Sequence, residues 1–322
     1  MLVNTPNGFT YINPVGQIEF TTIGTYTFVI PANVVSISAV AIGGGGGGSS
    51  SYKGKGGGGG ALSYINNVAV VEGDTLTVTV GSGGRGEYYS YYNGTHLSVN
   101  GTASSVLLNG VKILEAGGGL AGRYANNYSY TNATGGRPTS LSGIVGYYGG
   151  EGGVFINSAS RLSQWGAGGG GAAGYAGSGG NGGHAGDTVI AQSVANGKDG
   201  SGGSAGGGSG GWNSRASGRS PGGGGGGVNI YGANTSGSGG LHTGSIYWPT
   251  TQGGTGGSHG ADGLIDLGYW NGGAGGLFGG GGGGGRYANY DSHGGDGARG
   301  AVRIMYTDGS VVRTFPYNAA NT

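Results

Sequence analysis

The chain has 322 residues, 91 of them glycine, with 8% charged residues, a formal net charge of +1 and no cysteine. So weak a charge leaves no electrostatic footprint for nucleic acid or an anionic membrane surface. The missing cysteine removes disulfide frameworks and thiolate metal sites, and 7 prolines are too few for a collagen triple helix.

Residues 1–16, with Pro6, Gly8, Pro14 and Gly16, read as an arm or attachment segment. Strands are predicted at Gln17 to Thr22, at Thr25 to Ile30 and at Val34 to Ile42, where β-branched residues suit a buried strand. The last of these runs straight into Gly43 to Gly48. A second block holds Ala61 to Ile65, Val68 to Val71 and Thr75 to Val80, with a turn at Glu72-Gly73-Asp74. A third holds Leu97 to Val99, Ser105 to Leu108 and Val111 to Glu115, the last two joined by the hairpin signal Asn109-Gly110. The final pair is Ala301 to Tyr306 and Val311 to Phe315, turned at Asp308-Gly309. No segment carries an amphipathic helical pattern.

These elements predict an all-β fold, a β-sandwich formed by N- and C-terminal strands with a central polyglycine-II helical bundle. The expected divisions are the arm at 1–16, sandwich strands with glycine-rich insertions at 17–116, the glycine-rich region with aromatic connectors at 117–300, and a closing β-hairpin and tail at 301–322. The bundle is read from spacing. Glycine recurs every third residue at Gly171, Gly174, Gly177, Gly180, Gly183 and Gly186, and again over Gly254 to Gly263 and Gly273 to Gly285. Three is the period of the polyproline-II conformation, and it matches neither helix nor strand. That conformation has no internal hydrogen bonds, so buried runs must bond to one another. Close approach then demands glycine at the contacts, with Gly222 to Gly227 expected inside. Flexible linker is the competing reading of such composition, but 35% hydrophobic and 10% aromatic residues argue for an ordered chain.

Aromatic residues cluster in the connectors between runs, beside Ser, Asn, Thr and Gly. Rigid amphipathic rings among adaptable polar residues are the vocabulary of binding loops. The candidate receptor-binding residues are Tyr88, Tyr89, Tyr91, Tyr92, Tyr147, Tyr148, Trp212, Tyr247, Trp248, Tyr269 and Trp270. The alternative role for such rings is to cap the glycine lattice and exclude water. Catalytic signals are weak. His96, His184, His242, His259 and His293 lack metal-ligand spacing. Gly54-Lys55 is followed by Gly56, where a phosphate loop needs Ser or Thr. No enzyme activity, cofactor or metal is expected. The N-terminal stretch shows no secretory leader and no run of 18 apolar residues occurs, so neither secretion nor membrane insertion is expected.

Phe20 to Ala32, Val34 to Ile42 and Gly43 to Gly48, followed by Gly56 to Gly60, Thr75 to Gly84 and the closing Gly300 to Tyr306, resemble the glycine-rich domain of bacteriophage tail proteins. The central part is similar to the receptor-binding adhesins at the tips of T-even-type long tail fibres. The resemblance implies a β-scaffold with polyglycine-II helices and loops that contact a host surface receptor, either a glycan or an outer-membrane protein. It further implies a location on the virion, contacts with other virion proteins and a homotrimer as one assembly to test. The expected function is a tail-fibre or spike-tip adhesin. A purely structural or decorating virion protein and a spike depolymerase are the alternatives.

Overall fold

The computed structural model describes residues 15–51, 54–90, 94–123, 133–154, 166–185, 221–232, 237, 239, 261, 264–266, 269–286 and 292–316, with two N-terminal strands, Leu2–Thr5 and Gly8–Tyr11. Among these residues the chain is all-β, with no helix. Its main strands, β1 to β9 in chain order, form two antiparallel sheets. They are β1 Gly16–Phe20, β2 Gly24–Val29, β3 Ser36–Ile42, β4 Leu62–Ala69 and β5 Thr75–Val80. β6 Ser104–Leu108, β7 Val111–Ala116, β8 Ile144–Tyr147 and β9 Ala301–Thr307 complete them. One sheet runs β7-β6-β5-β2 and the other β8-β4-β3-β9-β1.

The two sheets share a buried apolar cluster. Ile37, Ala39 and Ala41 of β3 and Val302 and Ile304 of β9 meet Leu76, Val78 and Val80 of β5, Val106 of β6 and Leu114 of β7. The arrangement is compatible with a β-sandwich. Side chains alternate along a strand, so Val40 and Ile42 point to the opposite face. There, with Leu62, Tyr64, Ala301 and Met305, they pack against Ala172, Ala173, Tyr175, Val228, Ile230 and Phe315. β3 is therefore covered on both faces, which explains the continuous apolar run Ala39 to Ile42. β9 lies between β3 and β1, with Ile304 opposite both Ala39 and Ile18, so the far end of the chain closes the N-terminal sheet.

Several strand expectations hold and others need correction. Asn109 and Gly110 both take positive φ, 50° and 81°, between β6 and β7, as the hairpin signal requires. Ala61 to Ile65 and Val68 to Val71 are not two strands but the single β4. A register shift between Ile37 and Ala39, with Asn67 at φ 55°, lets one bulged strand read as two. Val311 to Phe315 is not a strand, so there is no closing hairpin among the described residues. Its polar groups are taken by side chains instead. Asn66 receives the Phe315 N–H at 2.9 Å and donates to its carbonyl at 2.9 Å, while Ser38 Oγ donates to the Arg313 carbonyl at 2.7 Å. Leu97 to Val99 is not a strand either: it belongs to a glycine-lattice run described next.

Beyond the sheets, the glycine runs hydrogen-bond to each other and not to themselves. Along 43–48, successive amides donate in three directions that repeat every third residue. Gly43 and Gly46 donate to Ala61 and Gly58, Gly44 and Gly47 to Thr102 and Val99, and Gly45 and Gly48 to Ala298 and Gly295, at 2.8–3.1 Å. Carbonyls on the same run accept from three further runs: Gly44 and Gly47 from Gly119 and Gly122, Gly45 and Gly48 from Gly84 and Glu87, and Gly46 and Ser49 from Gly282 and Gly285. The run is thus enclosed on all sides. The run at 279–285 is enclosed in the same way, by 167–170, 46–49, 273–276, 57–60, 222–225 and 295–298. Runs from the first hundred residues and from the last fifty thus share one lattice, and 221–228 is buried throughout, as its composition suggests.

The three-residue spacing also passes through reversals. The 171–183 stretch is two antiparallel runs, with Gly171 bonded to Gly180 and Gly168 to Gly183, and 273–285 folds back the same way through Gly283 to Gly273. Gly186, Gly254, Gly257, Gly260 and Gly263 lie outside the described residues.

A methyl group built on Gly46 would collide with the Leu120 carbonyl, and one on Gly58 with the Thr134 carbonyl. Both obstacles are backbone held by the lattice. Gly46→Ala is expected to destabilise the protein by about 3 kcal/mol, the upper range for forcing a methylene into a packed interior. Gly73→Ala, at an open turn with nothing within 4 Å, should cost less, about 1–2 kcal/mol for holding an L-residue at φ +85°. Denaturant midpoints of the two variants, compared with the parent, check the difference.

Candidate functional site

The lattice has two ends. At one, β3, β4, β5, β6, β7 and β9 pass directly into or out of glycine runs. At the other, distal end, runs finish together and are tied across. Gly285 donates to Ser49 at 2.9 Å, Ala167 to Gly54 at 2.8 Å, Gly284 to Ala167 at 2.7 Å, Gly222 to Gly284 at 2.9 Å and Gly294 to Glu87 at 2.8 Å. Among the described residues, runs end distally at Ser49 and Gly54, at Glu87 and Leu97, at Gly122 and Ala133, at Val154 and Gly166, at Ala185 and Pro221, and at Gly272, Gly285 and Ser292.

Short strands bind these distal segments together. Tyr88–Ser90 pairs antiparallel with Gly94–His96 on one side and with Ser292–His293 on the other. The Tyr269–Asn271 strand, itself paired with Leu264–Asp266, joins at His293, whose N–H donates to Asn271 Oδ1 at 3.1 Å while its carbonyl accepts from Gly272 at 2.9 Å. The half-buried ring of Tyr88 stacks on His293 at 4.4 Å between centroids and on His96 at 6.2 Å. Both imidazoles are exposed. An exposed row of three stacked rings is thus held by backbone ladders on rigid run ends.

Beneath it sits a buried polar layer. The carboxylate of Glu87 accepts the Ser50 N–H at 2.9 Å, and the Ser50 and Ser292 hydroxyls share a hydrogen bond of 2.6 Å. Burial pushes the Glu87 carboxyl above its usual range, against the lowering effect of the Ser50 bond. Burial likewise pulls Lys55 below its usual value; its own N–H donates to Ser49 Oγ at 2.8 Å. Among the described residues no cluster of His, Asp and Glu is arranged to hold a metal ion.

The candidate residues fall in different places. Tyr88, Tyr89, Tyr269 and Trp270 converge on the distal end, the last three through their strand backbones. Tyr147 and Tyr148 are at the sheet end instead: Tyr147 lies opposite Leu62 in β8 and packs half-buried against the second apolar cluster, while Tyr148 is 54% exposed. Tyr91, Tyr92, Trp212, Tyr247 and Trp248 lie outside the described residues. His96 and His293, isolated in sequence, are brought to one ring by strand pairing, which no local spacing announces.

A groove of about 330 Å³ runs along the lattice flank, lined among others by Ile23, Arg85, Leu277, Asp296 and Arg299. Two of its charged groups serve the scaffold: Asp296 Oδ1 accepts the Gly86 N–H at 2.7 Å and Arg299 Nε donates to the Thr21 carbonyl at 2.6 Å. Residues 21–258 match the model of a family described as a glycine-rich domain, and no curated protein matches the chain.

A carboxyl with a raised folded pKa binds its proton more tightly in the native state than in the unfolded one. Stability must then rise as pH falls through the window between the raised value and the ordinary one. Glu87→Gln keeps an acceptor for Ser50 without the charge. It should raise the melting temperature at neutral pH, and the difference should close as pH is lowered to the ordinary glutamate range. Melting curves of both proteins across pH measure this.

Proposed function

The chain belongs to this glycine-rich domain family, and from that premise we propose that it is a phage virion protein, a non-enzymatic tail-fibre or spike-tip adhesin that binds the host cell surface. In this reading the two sheets form a β-sandwich, the glycine runs are packed polyglycine-II helices, and the distal end is the contact face. The receptor is a surface glycan or an outer-membrane protein, and other virion proteins hold the chain in place.

The observation that carries the reading is the joint ending of the runs opposite the sheets, with Tyr88 displayed between His96 and His293. Aromatic rings on rigid supports lose little freedom on binding, so their apolar area converts efficiently to affinity. The helix assignment is supported by the direction of the amides on 43–48, which repeats every third residue as a three-fold backbone requires. Amides in such a bundle should exchange with solvent as slowly as those of the sheet core. Residue-resolved hydrogen exchange over Gly43 to Gly48 tests this, and rapid exchange there would count against the bundle.

A structural role for the chain within the particle is favoured by other rings. Tyr64, Tyr175 and Phe315 are buried and lie 5.9–6.2 Å apart, sealing lattice against sheet. Serine substitutions in groups separate the two readings. Replacing Tyr88, Tyr89, Tyr269 and Trp270, or Tyr91 and Tyr92, or Trp212, Tyr247 and Trp248, should weaken host binding roughly tenfold or more in at least one group, with melting unchanged. Replacing Tyr147 and Tyr148 should act on stability more than on attachment. If every group leaves attachment to host cells intact, the protein is a scaffold and not an adhesin.

A further inference from the structure

β2 is an edge strand whose outer side no other strand pairs with among the described residues. Ile30 donates to the Asp74 carbonyl at 2.8 Å and Asn109 donates to the Thr75 carbonyl at 2.9 Å, which fixes the alternation. Even-numbered residues of β2 face β5, and the N–H and C=O groups of Thr25, Thr27 and Val29 face outward. These three residues are exposed. An edge of this kind is a template for another strand, and proteins normally blunt it with charge, proline, a bulge or a cover. The other edges are blunted. β7 carries the Lys112–Glu115 ion pair. β1 carries Glu19, which accepts a hydrogen bond from the Tyr231 hydroxyl at 2.8 Å. β8 has four residues, and the Pro138 side chain lies against its Gly146. β2 has six residues in regular register with β5, and no charged residue occurs between Glu19 and Lys53.

We propose that β2 pairs antiparallel with β2 of a second copy of this chain, joining two four-stranded sheets into one across a two-fold axis. The strand suits itself as a partner. It is uncharged, so no like charges meet across the axis, and an antiparallel copy offers the same outward groups in reverse order. The inner face points the same way. Tyr26 and Phe28 are only partly buried where the sandwich ends, with Tyr26 5.2 Å from the Phe20 ring and Phe28 5.7 Å from Tyr306. A second β2 would bring the same rings alongside and close that side of the core. The inference is independent of what the distal end binds.

Sedimentation of the 322-residue chain over a concentration series tests the proposal. The parent protein should approach twice its 31.0 kDa mass. Thr27→Pro removes an outward amide that no strand among the described residues uses, a place where an edge strand tolerates proline. It should sediment as a monomer with an unchanged melting temperature. Should that variant fail to fold, Thr27→Lys provides the same reading by setting two like charges near the axis. Thr77→Lys, on neighbouring β5 and off the edge, should leave the dimer intact. A parent that stays monomeric throughout, a trimer, or a dimer that survives both Thr27 substitutions would overturn the pairing.

Discussion

The structure depends on one requirement: every buried backbone N–H and C=O must find a partner. A helix or a strand meets it by a rule internal to the element or to its immediate neighbours. The glycine runs meet it through as many as six other runs at once. Each amide on 43–48 has its own acceptor, in one of three directions, at normal hydrogen-bond length. Glycine is costly to order, by roughly 0.5–1 kcal/mol per residue against alanine. A network in which both polar groups of nearly every interior residue are bonded offsets that cost. It also explains why positions such as Gly46 and Gly58 tolerate no side chain, since a Cβ there points at a neighbouring carbonyl.

Where the lattice ends sideways, the missing runs are replaced by side chains. Asn100 Oδ1 accepts the Ala121 N–H at 2.8 Å and Asn181 Oδ1 accepts the Glu151 N–H at 2.9 Å. His184 Nδ1 accepts the Val154 N–H at 3.1 Å, and Thr102 Oγ1 accepts the Ser82 N–H at 2.8 Å. These oxygens and nitrogens stand where a carbonyl of the next run would be. The same economy appears at the join with the sheets. There Arg303, fully buried in β9, bonds the Ile230 carbonyl at 3.2 Å and Gln17, and lies 5.0 Å from the Tyr231 ring. Burial lowers its pKa, and the neighbouring Arg313 lowers it further.

Much of the sheet was legible because it obeys local rules. Thr75 to Val80 alternates, Asn109-Gly110 supplies two positive φ angles, and Ala301 to Tyr306 is a strand, apolar but for Arg303, with a place in the N-terminal sheet. The misreadings share a cause. Leu97-Ser98-Val99 alternates like a strand, yet Val99 donates to Arg85 as part of the lattice, because apolar residues on a run's outer side can mimic period two. Val311 to Phe315 has strand composition but is claimed by Asn66 and Ser38. At the distal end, the tyrosines were visible as a type of residue. Their partners were not, since His96 and His293 are 197 positions apart and meet only through Tyr88.

The enclosure of 43–48 has a consequence for how the chain reaches its native state. Four of the partner runs lie before residue 123, but the other two are at 282–285 and 295–298. During synthesis the last partners of this segment, at 282–285 and 295–298, follow it by more than 230 residues. Contacts of such sequence separation are closed at a high entropic cost and form slowly. The polyglycine stretch must therefore emerge from the ribosome with part of its hydrogen bonding directed to water, and the lattice can be completed only once the C-terminal runs and β9 arrive. Assembly of the interior in this sense waits until residues 279–307 have been made, whatever the order in which the sheets form.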